Sequence, residues 1–129
     1  MSPIRMSKIE SGMRVVIEFN EAFNRHDVAG MAQLLSDGCV FENADPPPEG
    51  KLYLGKELVA EFWQDFFHKS PEAHMKIEEL FGYGERCIMR WKCSWVDIDG
   101  KSQHLRGADI FRIRDGVIRE QLSYVKGET

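Results

Sequence analysis

Three cysteines and four histidines are the side chains of this sequence best suited to hold a zinc ion, and the cysteines could also act as nucleophiles. Their spacing argues against both chemistries. Cys39, Cys87 and Cys93 show no ligand spacing for zinc, whose sites draw on close cysteine or histidine pairs. Cys87 and Cys93, six apart on one strand, would stand about 20 Å apart at ~3.3 Å per residue. That is beyond the reach of a disulfide. They are expected to be buried, reduced thiols that behave as small hydrophobes. His26, His68, His74 and His104 form no metal-binding pair. His26 is expected at a helix junction, His68 near a helix C-terminus where its charge suits the dipole, and His74 and His104 exposed on strands. No glycine-rich phosphate loop or nucleophile elbow is present. No metal and no cofactor are therefore expected.

Composition narrows the partners. The formal net charge is -4, with a pI of about 5.6 and no run of Lys or Arg, so a phosphate backbone has nowhere to land and nucleic acid is not an expected partner. No apolar stretch approaches the ~20 residues that span a bilayer. Met1-Ser2-Pro3-Ile4-Arg5-Met6 lacks the apolar core of a signal peptide, so the expected location is cytoplasmic. At 129 residues, 43% hydrophobic and 29% charged, the chain has enough apolar material for one core and too little length for two. One domain over 1–129 is expected, with an ordered core at about 7–126.

The elements that must position any site follow from periodicity. Ser7 and Glu10 fit a capping box. Val15, Val16, Phe19, Ala22 and Phe23 then recur at helical spacing and predict a helix over 7–24. Asn24-Arg25-His26 breaks it, and Asp27 can cap a short helix carrying Val28, Met31, Leu34 and Leu35. Ser36-Asp37-Gly38 ends that helix in a turn, and Cys39 to Asn43 reads as a strand. Ala44 to Gly55 is expected to be irregular, because Pro46-Pro47-Pro48 removes three backbone donors. That loop is either a lid bringing Tyr53 and Glu49 to a ligand or a stiff connection. Lys56 to His68 returns to helical spacing through Leu58, Val59, Phe62, Trp63, Phe66 and Phe67, and Pro71 closes it. The period then changes to two, predicting strands near 74–82, 86–98, 102–113 and 117–125. Their turns fall at Gly82-Tyr83-Gly84, Asp99-Gly100 and Asp115-Gly116. Helices first and an antiparallel meander after them predict an α+β fold.

Three strings carry a family resemblance: Phe23-Asn24-Arg25-His26-Asp27, Val40-Phe41-Glu42-Asn43, and the run from Gly107-Ala108-Asp109-Ile110-Phe111 through Asp115-Gly116-Val117-Ile118. Over about residues 10 to 126 the chain resembles the SnoaL-like group of the nuclear transport factor 2-like superfamily, which also holds ketosteroid isomerases and limonene epoxide hydrolases. The resemblance implies a cystatin-like cone: three N-terminal helices packed on a strongly curved, mainly antiparallel sheet that encloses a pocket. It implies that Asp109 occupies the position of an acid/base or oxyanion-binding aspartate. A carboxyl in such a pocket loses hydration and can sit protonated or poised as a base. The tyrosine position of the isomerases is held by Phe19 and their general-base position by Asn43, with Asp45 nearby. Of the hydrolase trio, Arg90 is kept, Asn43 matches a water-positioning asparagine, and Lys92 and Ser123 stand in place of two aspartates. Neither steroid isomerisation nor epoxide hydrolysis is therefore expected.

Strand 86–98 sets the two arguments against each other. One face carries Cys87, Met89, Trp91, Cys93 and Trp95; the other carries Ile88, Arg90, Lys92, Ser94 and Val96. Apolarity turns the first set inward, whereas the resemblance turns Arg90 inward and gives the opposite face to a second subunit. Following the resemblance, the pocket is expected from Phe19, Phe41, Asn43, Phe62, Trp63, Phe66, Arg90, Lys92, Asp109, Phe111 and Ser123. A homodimer is expected through Trp91, Trp95, Ile110 and Tyr124. Asp109 would then be an acid/base or the ion-pair partner of Arg90 or Lys92. Three functions stay open on these grounds: an isomerase, cyclase or dehydratase acting on a small apolar carbonyl compound, a non-catalytic ligand binder, and an accessory dimeric module.

Overall fold

The structure, a computed structural model, describes residues 8–126. Ser7, the first half of the expected capping box, lies outside the described residues. Helix α1 (Lys8–Asn24) buries Val15, Val16, Phe19, Ala22 and Phe23, the stripe that its spacing predicts. Its last residue ties it to the sheet. Asn24 Nδ2 donates to Met75 O at 2.9 Å and its Oδ1 accepts from Met75 N at 2.7 Å. His26 takes a left-handed backbone at φ 55°, stacks on Phe67 at 4.3 Å and places Nε2 2.7 Å from Ala73 O. Asp27 then caps α2 (Val28–Gln33), its carboxylate accepting from Gly30 N at 2.9 Å.

Strand β1 (Leu35–Asn43) begins earlier than expected. Ser36-Asp37-Gly38 runs as extended chain, because β6 lies alongside and takes the turn-forming residues as an irregularity between Leu35 and Val40. The segment expected to be wholly irregular contains a further strand, β2 (Lys51–Leu54), paired antiparallel with β1 from Asn43↔Lys51 to Val40↔Leu54. The prolines deny donors only at 46–48. Past them, Gly50 turns the chain back at φ 75°, where a Cβ would collide with Asn43 O. Residues 51–54 have their amides and pair.

Helix α3 (Lys56–Lys69) buries Val59, Trp63 and Phe67. Strands β3 (His74–Tyr83), β4 (Arg86–Val96), β5 (Ser102–Arg114) and β6 (Val117–Lys126) form the meander. The turn between β3 and β4 falls at Gly84-Glu85, slightly later than expected. Asp115 and Gly116 both have positive φ, 55° and 76°, as a tight hairpin of right-handed twist requires. The six strands make one mixed sheet in the order β2-β1-β6-β5-β4-β3, parallel between β1 and β6 and antiparallel elsewhere. Three helices on this sheet give the α+β architecture. The core lies between sheet and helices; Phe19 of α1 meets Phe111 of β5 edge-on at 6.2 Å.

The inward face of β4 is the apolar one. Cys87, Met89, Trp91 and Cys93 are buried and Trp95 half-buried, while Arg90 is exposed and Lys92 lies on the opposite side. The expected orientation of this strand is therefore reversed. Burying Trp91 and three small or flexible apolar groups gains free energy, whereas burying Arg90 and Lys92 would strip two cations of their water.

Candidate functional site

A cavity of about 520 Å³ opens between α3, the β1–β2 hairpin and the inward faces of β4, β5 and β6. Its wall is aromatic. Phe41 from β1, Phe62, Trp63 and Phe66 from α3, Phe23 from α1, and Trp91 and Trp95 from β4 all line it. These rings brace one another: Phe41 stacks on Trp63 at 5.3 Å and meets Phe62 edge-on at 5.1 Å, and Trp63 meets Phe66 edge-on at 5.5 Å. All three tryptophans of the sequence face this one space. The rim is polar. Asn43, Ala44 and Asp45 come from the end of β1 and the following turn, and Asp65, Lys69 and Ser70 from the end of α3. Lys69 is engaged by Asp65 at 2.9 Å.

Asp109 of β5 is the buried carboxyl of the cavity wall; the residue is 4% exposed. Trp91 Nε1 donates to its Oδ1 at 3.0 Å and Gln121 Nε2 to its Oδ2 at 2.8 Å. Ser123 stands directly opposite on β6. Burial raises the Asp109 pKa above its ordinary value, and the hydrogen bonds from Gln121 and Trp91 and the neighbouring Ser123 hydroxyl oppose that rise without cancelling it. No salt bridge reaches Asp109 among the described residues. Arg90, expected beside it, pairs with Glu79 at 3.0 Å on the outside of the sheet. The ion-pair reading of Asp109 therefore falls.

Gly107 makes the Trp91–Asp109 contact possible. It pairs across β4–β5 with Trp91, and a Cβ there would collide with the Trp91 indole and with Tyr124 O. The indole lies over that bare backbone and reaches along β5 to the residue two places on.

Of the expected pocket residues, Phe41, Asn43, Phe62, Trp63, Phe66, Asp109 and Ser123 face the cavity. Phe19 and Phe111 sit in the core beyond its wall, and Arg90 and Lys92 are on the other face of the sheet. Tyr53 stacks behind Phe62 and Phe41 at 4.9 Å and 6.0 Å, and Glu49 is exposed on the turn. Sequence reasoning missed Phe23, Met75, Trp91, Cys93, Trp95, Leu105 and Val125 in the wall and Gln121 behind it. The alternation Cys87-Met89-Trp91-Cys93-Trp95 was the signal for β4. Gln121-Ser123-Val125, polar to apolar at the same period, was the signal for β6. The three thiols are free and buried, and burial pushes Cys87 and Cys93 up to about 11, which leaves them inert.

Residues 16–121 match the SnoaL-like domain family. Among solved structures, an NTF2-like protein of unknown function from Mesorhizobium loti is 31% identical, the match covering 98% of this chain and 100% of that one with a TM-score of 0.79. An NTF2-like protein of unknown function from Burkholderia pseudomallei K96243 is 22% identical over 94% and 92% of the two chains, TM-score 0.80. An LEH-like epoxide hydrolase from M. tuberculosis is 17% identical over 93% and 86%, TM-score 0.80. The last two likenesses show the shared fold alone. No curated protein matches the chain.

Proposed function

The chain belongs to the SnoaL-like domain family, and from that premise we propose that it binds a small, largely apolar, carbonyl-bearing molecule on which Asp109 moves a proton. The reaction class is cofactor-independent isomerisation, cyclisation or dehydration. The observation that carries this reading is a buried carboxyl, with no cation beside it among the described residues, in the wall of an aromatic cavity. Desolvation raises the pKa of such a group, which makes it a stronger base toward an activated carbon than an exposed carboxylate and able to return the proton. With Arg90 and Lys92 outside and Lys69 engaged by Asp65, the fitting ligand is neutral rather than anionic.

The test is exchange of α-hydrogens with solvent. A panel of neutral cyclic ketones and enones is incubated in D2O and followed by proton NMR, while tryptophan fluorescence reports binding. Asp109→Asn should cut exchange by about 10²- to 10⁴-fold, the usual contribution of a general acid–base group, and leave binding in place. Wild-type exchange that survives in Asp109→Asn would remove the catalytic reading. A non-catalytic binder is the second reading, favoured by the fact that both Asp109 oxygens already accept hydrogen bonds from the protein. Binding without exchange in the wild type is its signature.

A homodimer through the outer face of the sheet is part of the proposal. On that face Phe81, Ile88, Ile110 and Leu122 are cross-strand neighbours in one continuous row, with Tyr124 55% exposed beside it. Ile110 and Tyr124 stay in the proposed interface. Trp91 and Trp95, which face the cavity, leave it, and Phe81, Ile88 and Leu122 take their place.

A further inference from the structure

The proposed role of Asp109 raises a question of access. The residue is 4% exposed, and each carboxyl oxygen already receives a hydrogen bond: Oδ1 from Trp91 Nε1 and Oδ2 from Gln121 Nε2. An indole N–H only donates, so Trp91 cannot accept a proton and pass it on. The Gln121 amide is buried and does not line the cavity. The third neighbour differs in both respects. Ser123 is directly opposite Asp109 in the β5–β6 register and lines the cavity. Opposed residues of an antiparallel pair share a face with Cβ atoms about 5 Å apart. A hydroxyl both donates and accepts.

We propose that the Ser123 hydroxyl relays the proton between the ligand and Asp109. This rests on the reading of Asp109 as the proton-moving group. In the forward step a C–H bond beside the ligand carbonyl breaks and its proton bonds to Ser123 Oγ. The hydroxyl proton that Ser123 already holds passes to the Asp109 carboxylate, and the electron pair of the C–H bond stays on the ligand as an enolate. In the return step the Asp109 proton passes to Ser123 Oγ while the serine delivers its own to another carbon. Both residues end as they began, and no oxidant or second substrate is needed. Trp91 and Gln121 hold the carboxyl still and do not carry protons. The other titratable groups around the cavity are Asp45, Asp65 and Lys69 at the rim and Cys93 in the wall. Cys93 stays a thiol, with burial pushing it up to about 11.

The test compares wild type, Ser123→Ala, Ser123→Thr and Asp109→Asn, using loss of label from α-deuterated ketones. Ser123→Ala should lower exchange by about 10²-fold or more, as removal of a proton-transfer group does, while fluorescence still reports binding. Ser123→Thr keeps the hydroxyl and should keep the activity. Ser123→Ala working at the wild-type rate while Asp109→Asn is inactive overturns the relay and leaves Asp109 acting directly. An Asp109→Asn variant as active as wild type overturns the reading of Asp109 and the relay with it. Should Ser123→Ala fail to fold, Ser123→Val, which has the shape of the threonine variant without its hydroxyl, decides in its place.

Discussion

Asp109 is a carboxyl taken out of water and handed two hydrogen bonds and a neighbouring hydroxyl in exchange, and its stability consequence has a definite sign. Its folded-state pKa is raised above the ordinary 3.8, so between the two values the folded protein holds a proton that the unfolded chain has released. Stability from this group is fully present below about pH 4 and is lost as pH rises through the folded value. Asn at this position cannot titrate. Thermal melts of wild type and Asp109→Asn from pH 4 to pH 8 should therefore show the wild type losing ground to the variant as pH rises. A difference between the two that stays flat across that range would mean that burial does not raise this pKa. Asp109 entered the argument through a family resemblance, and the sequence could not say what surrounds it. Its partners Trp91, Gln121 and Ser123 lie 18, 12 and 14 positions away along the chain, and only strand register brings them to one carboxyl.

Elements carry the site through a few long-range ties. The sharpest joins α1 to β3, where Asn24 meets both backbone groups of Met75 and Asn20 Nδ2 adds a 3.3 Å bond to the same carbonyl. β3 is an edge strand of the sheet, and Met75 lines the cavity. Asn24→Ala should cost about 2 kcal/mol in urea unfolding, because it leaves the partly buried Met75 amide without its partner and the Met75 carbonyl with only the longer bond from Asn20. A loss under about 0.5 kcal/mol, the usual range for inconsequential surface changes, would show that the tie is ornamental. The asparagine itself was visible in sequence as a helix breaker. Its partner was not, since a side chain that ends a helix gives no sign of the strand it will meet 51 residues on. Element type was legible wherever the period was long and clean, as in α1, α3 and the meander. It was lost where a four-residue strand hides behind three prolines, because β2 has no pattern of its own and exists through its pairing with β1.

At the scale of the whole molecule, the sheet has one face under the helices and one face open, and the open face carries an apolar row across four strands. The proposed dimer predicts a species of about 30 kDa in sedimentation, twice the 14.9 kDa of one chain. Ile110→Asp, which plants a charge in the middle of that row, should return it to the single-chain mass. Wild type sedimenting as one chain at micromolar concentration would end the proposal. No helix of the described chain is long and apolar enough to cross a membrane. The amino-acid sequence by itself determined the order of the elements apart from β2, the α+β class, the tight hairpin at Asp115-Gly116 and the aromatic stripe of α3, because each rests on neighbours a few residues apart. It also held the correct face of β4, since alternation of apolar and polar residues reports which side loses water. Only the tertiary structure decided that this signal prevails over the family resemblance, and that Asp109 meets Trp91, Gln121 and Ser123 and, among the described residues, no cation. Those facts depend on which strand lies beside which and in what register, where a shift of one residue turns a whole strand over.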